Sequence, residues 1–317
     1  MKDLRKVLLL TFMSACCIAL AACATEAEVE VVPAPPVMYS VFDETSAPPV
    51  TTPPPPVPKY HLEWLEVNED VVGYVEIEGT KISYPVLQGP DNDYYMDNDI
   101  NHNKCLTKAC ITADFRTQLD GYRLSDNTRL YGHNPAQGTF FAQLTRYYMT
   151  TEDGSLSFYK ANPIVKFDTL YEQMEWKIFA VVLFNTQPNY GDVMRFWDYG
   201  DFATADEFHE FIFGIMDRSV LFTDVDLEFG DKILTLSTCY YPYGKSVDTR
   251  AVVFARKIRE GESREVDVDK AKRNRQAMRF TEEAKRIGTM WTGERVWDTS
   301  YLKSYTPSKM STKKEPN

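Results

Sequence analysis

Leu234-Thr235-Leu236-Ser237-Thr238-Cys239 reads as an apolar strand that ends on a thiol, and Arg250-Ala251-Val252-Val253-Phe254-Ala255-Arg256 as a strand that opens on a guanidinium. The ten residues between them are rich in turn formers (Pro242, Gly244, Ser246, Asp248), so an antiparallel return is expected to bring Arg250 beside Cys239. Side chains alternate across a strand, which puts Thr235, Ser237 and Cys239 on one face as a polar row. A cysteine on a strand is usually a small buried hydrophobe, but a polar row suits the wall of a cleft. Upstream, Leu130-Tyr131-Gly132-His133-Asn134 contributes an imidazole. A thiol that attacks a carbonyl, an imidazole that moves protons and a guanidinium that holds an oxyanion are together the residue types of acyl transfer.

Outward from this pair the chain continues as short strands. Val71 to Ile77, Ile82 to Leu87, Ile164 to Asp168 and Trp176 to Phe184 are apolar runs of strand length, and Asp120-Gly121 marks a turn. That punctuation predicts a barrel or a sandwich. Tyr60 to Asn68 reads as a short helix with Leu62 and Leu65 on one face. A second helix is announced by the capping box Thr204-Ala205-Asp206-Glu207, followed by Phe208, Phe211, Ile212 and Ile215 at helical spacing, a stripe suited to a core. After Lys257 the composition turns charged. Arg259 to Arg286 is compatible with helix but its apolar residues (Ala271, Ala277, Met278, Phe280) are scattered, and Pro307 to Asn317 reads as disordered.

The 317 residues suffice for one domain of about 200 residues with extensions. A net charge of −11 argues against nucleic acid and against electrostatic adhesion to anionic membranes. Membrane attachment is instead expected from the N-terminus, where Lys2, Arg5 and Lys6 precede the apolar run Val7 to Ala22 and Leu20-Ala21-Ala22-Cys23 resembles a lipoprotein processing site. Cys23 is then the lipidated mature N-terminus. The alternative is an uncleaved signal anchor, for which the 16-residue run is short against the roughly 20 that span a bilayer. From Pro33 to Pro58 ten residues are proline, an extended spacer that at about 3.1 Å per residue reaches roughly 80 Å. The expected divisions are a signal at 1–22, an anchor and linker at 23–58, a folded domain at 59–258 and an extension at 259–317. With Cys16 and Cys17 in the signal, Cys105 and Cys110 remain, and their four-residue spacing is a weak signal for a disulfide or a metal site, so two reduced or loosely paired thiols are expected.

From about Leu62 to Lys257 the chain resembles the sortases, cysteine transpeptidases of the Gram-positive cell surface, and class B in particular. The resemblance rests on Val72 to Thr80 (VGYVEIEGT), Tyr84 to Gln88 (YPVLQ), Ala113 to Arg116 (ADFR), the Tyr-Gly-His-Asn segment and Thr235 to Cys239 (TLSTC), in that order. It implies a mainly β, closed sortase-like barrel of about eight strands, with an N-terminal helix and a helix in the connection between strands six and seven. It further implies Cys239 as nucleophile, His133 as general acid and base, and Arg250 as oxyanion or substrate clamp. Asn92, Tyr131, Ser237 and Thr238 match positions that line the peptide groove. Relatives often carry acidic residues just after the cysteine, whereas Tyr240-Tyr241-Pro242-Tyr243 here suggests an aromatic rim.

The activity so implied is cleavage of a sorting signal of Asn-Pro-x-Thr type on an exported protein, a thioester on Cys239, and transfer to an amine of peptidoglycan or of a pilin. Two other readings stand beside it. A cell-wall cysteine peptidase would hydrolyse the thioester, although papain-like wall enzymes place Cys before His. A lipid-anchored binding protein with an inactive barrel is disfavoured by the presence of all three reactive residue types. The chemistry calls for no metal or cofactor, and no carboxylate cluster compels a calcium site.

Overall fold

The structure, a computed structural model, describes residues 54–105, 110–303 and 305. The signal segment, Cys23, most of the proline-rich stretch and the final residues lie outside them. In chain order the elements are α1 (Leu62–Leu65), β1 (Val71–Glu76), β2 (Ser83–Leu87), α2 (Tyr94–Asp97), β3 (Ile111–Ala113), β4 (Asn127–Gly132), α3 (Thr145–Glu152), α4 (Ser157–Ala161), β5 (Ile164–Thr169), β6 (Glu175–Asn185), α5 (Ala205–Arg218), β7 (Leu221–Phe222), β8 (Ile233–Cys239), β9 (Thr249–Lys257), β10 (Lys272–Arg273) and α6 (Thr281–Ile287).

Eight of these strands close a barrel in the order β1-β2-β3-β4-β8-β9-β6-β5, with β5 pairing back onto β1. The β2–β3 and β4–β8 pairs are parallel and the rest antiparallel. Closure removes the exposed edges that an open sheet of this length would carry. Where β1 meets β5 the backbones are so close that a Cβ on Gly73 would lie 2.1 Å from the Asp168 carbonyl oxygen, so only glycine fits.

Strand alternation sorts the core into an inside and an outside. Leu234 and Leu236 of β8, Val253 and Ala255 of β9, Val181 and Leu183 of β6 and Leu130 of β4 belong to one apolar cluster that draws on all eight barrel strands. Ile233, Val252, Phe254, Val182 and Phe184 point the other way and pack under Phe208, Phe211, Ile212 and Ile215 of α5. That helix lies in the connection between the sixth and seventh barrel strands and begins where the capping residues place it, with Thr204 accepting from the Glu207 amide. The first helix is shorter than the sequence suggests: α1 is one turn, and Leu62 is 46 % exposed, while Leu65 packs against the small cluster around Val71, Leu87 and Tyr95. Trp64 packs there as well, and two partly buried residues in a single turn do not hold a longer helix onto the barrel.

The charged segment after Lys257 is not a long helix. It runs over the barrel with short 3-10 turns at Val268–Lys270 and Thr299–Tyr301, pairs β10 with β7, and turns α-helical only in α6. Ala271, Ala277 and Phe280 are buried one at a time, which explains why their spacing shows no helical period. No helix among the described residues is long and apolar enough to cross a membrane.

Candidate active site

The end of β8 lies between two neighbours. On one side β9 runs antiparallel, and the register sets Cys239 directly opposite Arg250. On the other side β4 runs parallel, pairing Tyr131 with Ser237 and Gly132 with Thr238, so the next step along the chain brings His133 alongside Cys239. Asn134 secures that step by donating its side-chain amide to the Cys239 carbonyl at 2.7 Å. Alternation then fixes the face. Leu236, Val253 and Leu130 point into the barrel, so Cys239, Arg250 and Tyr131 belong to the outer face covered by the connection that carries α5.

Over these residues opens a cleft of about 380 Å³ lined by Asn92, Met96, Arg116, Tyr131, Gly132, Thr186, Phe196, Trp197, Ser237, Thr238, Cys239 and Arg250. A larger cavity of about 700 Å³ lies elsewhere, against Glu78, Arg146, Phe158 and Arg264, and contains none of the thiol, imidazole or Arg250 groups. Size therefore does not locate the chemistry here; the reactive residue types do.

Each reactive group is oriented by a neighbour. The His133 Nε2 lies 2.7 Å from the Met96 carbonyl oxygen. A carbonyl can only accept, so Nε2 carries the proton of that bond and Nδ1 is the nitrogen left to exchange one. Arg250 gives Nη1 to Asp248 at 2.5 Å and to the Thr249 carbonyl at 3.1 Å. Asp248 in turn accepts from the Thr186 hydroxyl at 2.6 Å, while its amide donates to the Gln187 side chain at 3.0 Å. Burial alone would raise the Asp248 carboxyl, but the bonds from Arg250 and Thr186 outweigh it and hold it below its ordinary range. Burial and then a hydrogen bond with Cys239 push the Tyr241 hydroxyl up to about 12. Tyr241 thus neighbours the thiol, but the expected aromatic rim does not form: none of Tyr240, Tyr241 and Tyr243 lines the cleft, and Tyr240 and Tyr243 pack onto the core through Tyr148 and Phe280.

Beneath the cleft floor is a group that residue-level reading passed over. Asp114 is fully buried and accepts six hydrogen bonds, from Asn92 Nδ2, the Tyr131 hydroxyl, Arg129 Nη2, and the amide, Nε and Nη2 of Arg116. Burial pushes its pKa up, yet the Arg116 bonds and the Arg129 charge prevail and hold the carboxyl well below the usual carboxylate range. Arg116 also reaches the Trp197 carbonyl at 2.9 Å, joining the floor to the covering connection.

Of the seven residues expected at the site, six line the cleft and His133 stands beside it through the β4–β8 register. Their contributions differ. Asn92 and Tyr131 are held from below by Asp114, and Thr238 has its hydroxyl committed to the Gly132 carbonyl at 2.7 Å, leaving its backbone to face the cleft. Met96, Arg116, Thr186, Phe196 and Trp197 were not anticipated. Arg116 sits in a segment that carries the family resemblance, but nothing in its spacing signals a cleft. Thr186, Phe196 and Trp197 belong to a connection with no periodicity to read.

Among the described residues no group of three or more His, Cys, Asp or Glu is placed to hold a metal ion. Cys110 is buried among apolar neighbours with its thiol directed to the Asn98 carbonyl, and burial raises its pKa to about 12, which makes it a packing residue and not a second nucleophile.

Comparison with known proteins gives the same picture. A sequence model described as Sortase domain matches residues 75–258. The chain is 33 % identical over 198 residues to the protein named Sortase B of Staphylococcus aureus, covering 62 % of this chain and 74 % of that one. The solved complex of Staphylococcus aureus sortase B with a substrate is 32 % identical, with a TM-score of 0.53 over 62 % of this chain and 84 % of that one. A sortase B structure complexed with triglycine is 31 % identical, with a TM-score of 0.53 over 62 % and 85 %.

Proposed function

This chain belongs to the sortase family and is a class B cysteine transpeptidase, and from that premise we propose that Cys239 cleaves a sorting peptide and passes its acyl part to an amine. The observation that carries the reading is the register at the end of β8, with Arg250 opposite Cys239 on one side and His133 in line with it on the other. In the first half-reaction the thiolate attacks the scissile carbonyl, forming the C–S bond. The oxyanion faces Arg250, whose Nε and Nη2 make no hydrogen bond among the described residues while Asp248 holds Nη1. The C–N bond then breaks as His133 protonates the leaving amine, and the peptide remains as a thioester on Cys239. In the second half-reaction an incoming amine loses a proton to His133, attacks the thioester and releases the thiolate.

The peptide would lie in the cleft against Asn92, Tyr131, Ser237 and the backbone of Thr238, with Phe196 and Trp197 as its apolar wall. An Asn-Pro-x-Thr type signal is the corresponding donor, in keeping with the class. A glycine amine is the first acceptor to try, because a class B relative is known in complex with triglycine; a peptidoglycan or pilin amine would be the natural counterpart. The enzyme would act outside the membrane, tethered through lipidated Cys23 and the proline-rich spacer. Mass spectrometry of the mature N-terminus, with and without globomycin, tests the tether: an intact Met1 peptide in the membrane fraction rules lipidation out.

The activity is tested with a fluorogenic peptide panel, with and without triglycine. Ligated product that depends on the amine supports transfer, and hydrolysis alone replaces the proposal with a peptidase. Unchanged turnover by Cys239→Ala removes the site.

A further inference from the structure

The residues beyond 258 lie outside the sortase match, yet they reach both loops that frame the cleft. After β9 the segment is anchored by Glu262, whose carboxylate accepts from Arg256 Nη1 at 2.6 Å, Arg256 Nη2 at 2.7 Å and Lys177 at 2.7 Å. It then pairs β10 with β7, and Asn274 takes hold of the Val220 and Ser219 carbonyls.

The next stretch, from Arg279 to Arg286, meets the loop between Cys239 and Arg250 at Tyr243. Arg279, 3 % exposed, donates Nη1 to Glu283 at 2.5 Å and Nη2 to Glu152 at 2.7 Å. The Glu283 carboxylate also accepts from the Tyr148 hydroxyl at 2.5 Å and the Tyr243 hydroxyl at 3.4 Å. Tyr243 belongs to the loop between Cys239 and Arg250. It is further enclosed by the Phe280 ring, 6.0 Å between centroids, and by the Arg286 guanidinium, 5.3 Å from the Tyr243 centroid. Tyr240, the residue after the thiol, packs edge-on against Tyr148.

The second loop, which follows β6, meets the same stretch. A Cβ on Gly191 would lie 2.4 Å from the Thr281 amide nitrogen, so the loop backbone is seated directly on the start of α6. The near end of that loop, Thr186 and Gln187, is bonded to Asp248, the partner of Arg250.

We propose that Arg279, Glu283 and Tyr243 form a brace through which the C-terminal segment positions Cys239 and Arg250 for catalysis. The β8–β9 register pairs the backbones of Cys239 and Arg250, and the nine-residue loop between them, with Gly244 at φ 99°, carries Tyr241 and Asp248, the neighbours that orient the thiol and the guanidinium. The brace holds that loop from outside the barrel. These are positioning residues, since none of them lines the cleft. The assignment of the loop ends to catalysis rests on the transpeptidase reading above; the contact between segment and loop does not.

Three variants of the full chain separate the two. Tyr243→Ala cuts the loop from the segment and leaves the buried Arg279–Glu283 pair intact; Glu283→Ala removes the pair itself. Arg295→Ala loosens the same segment at its far end, where Arg295 binds Asp217 of α5. Amide hydrogen exchange over 240–248 is expected to speed up by about tenfold in the first two and not in the third. Transfer to triglycine is expected to lose about tenfold in kcat with KM nearly unchanged in the same two, because misplacement of reacting groups acts on the chemical step. Unchanged exchange in Tyr243→Ala overturns the brace, as does an equal loss of kcat in Arg295→Ala. Faster exchange in a protein whose wild type shows no turnover keeps the contact and removes the transpeptidase reading.

Discussion

Asp114 under the cleft and Glu283 in the C-terminal segment are both buried carboxylates beside arginine, and their pKa values move in opposite directions. Asp114 spreads six donors over its two oxygens, two guanidiniums among them, and these outweigh the burial that would raise it. Glu283 receives Arg279, Tyr148 and Tyr243 on Oε1 alone, while Glu152 competes for the same arginine. Burial therefore prevails, and the carboxyl is raised from its ordinary value. An arginine neighbour does not by itself fix a buried charge; the number of donors per oxygen and the competition for them decide. Hydrogen bonding thus favours the charged form of Asp114, on which three cleft-lining side chains are seated, while burial disfavours the charged form of Glu283.

The largest effect should come from Asp114→Asn. Arg129 is 2 % exposed and would keep its charge without the carboxylate, so about 3–5 kcal/mol of stability is expected to be lost in urea unfolding. Because Asn92, Tyr131 and Arg116 lose their common acceptor, KM for the peptide should rise in the folded fraction. A loss below about 1 kcal/mol would mean that Arg129 finds compensation in the Tyr199 carbonyl, which it already reaches at 2.7 Å.

Glu283→Gln should be milder, at about 1–2 kcal/mol, since the amide still accepts from Tyr148 and Arg279. Its signature is the pH dependence. A carboxyl depressed in the folded state, such as Asp114, adds stability above its ordinary pKa of 3.8 that is lost as the pH falls through the folded value. Glu283 is raised, so its contribution is fully present below 4.5 and declines as the pH rises through its folded value. Urea midpoints between about pH 3 and pH 8 should show the Asp114→Asn deficit shrinking toward acid and the Glu283→Gln deficit shrinking toward neutrality. Parallel curves for the two variants would erase the distinction between the sites.

How much of this is legible in the sequence follows from the range of the forces involved. The facing of Cys239 by Arg250 is local: two strands, ten residues and a period of two determine it, and the register agrees. The neighbourhood of His133 depends on a parallel pairing across about a hundred residues, for which order and resemblance are the only guides. The α5 helix shows itself through a cap and an apolar stripe. Asp114 does not, because an aspartate with six donors looks in sequence like any surface aspartate; its donors come from four places in the chain. The segment after Lys257 misleads in the same way. Its charges are compatible with helix, yet Arg279 and Glu283, paired with each other, are buried against Tyr148 and Glu152 more than a hundred residues earlier.

A third carboxylate, Asp248, marks the end of the series where stability and function part. Its pair with Arg250 is about 30 % exposed on both sides, a setting in which ion pairs contribute roughly 0–1 kcal/mol. Asp248→Asn should therefore leave the urea midpoint almost unmoved. The guanidinium, however, loses the anchor that aims Nε and Nη2 toward the cleft, and a donor freed to wander is less effective than one already in place. A fall in kcat of about tenfold with little change in stability is expected, smaller than the loss for deleting the Arg250 donor itself, which is put at about 10²–10³ for a group of that kind. A rise in kcat would reverse the argument, since it would mean that Asp248 competes with the oxyanion for Arg250 and restrains the enzyme.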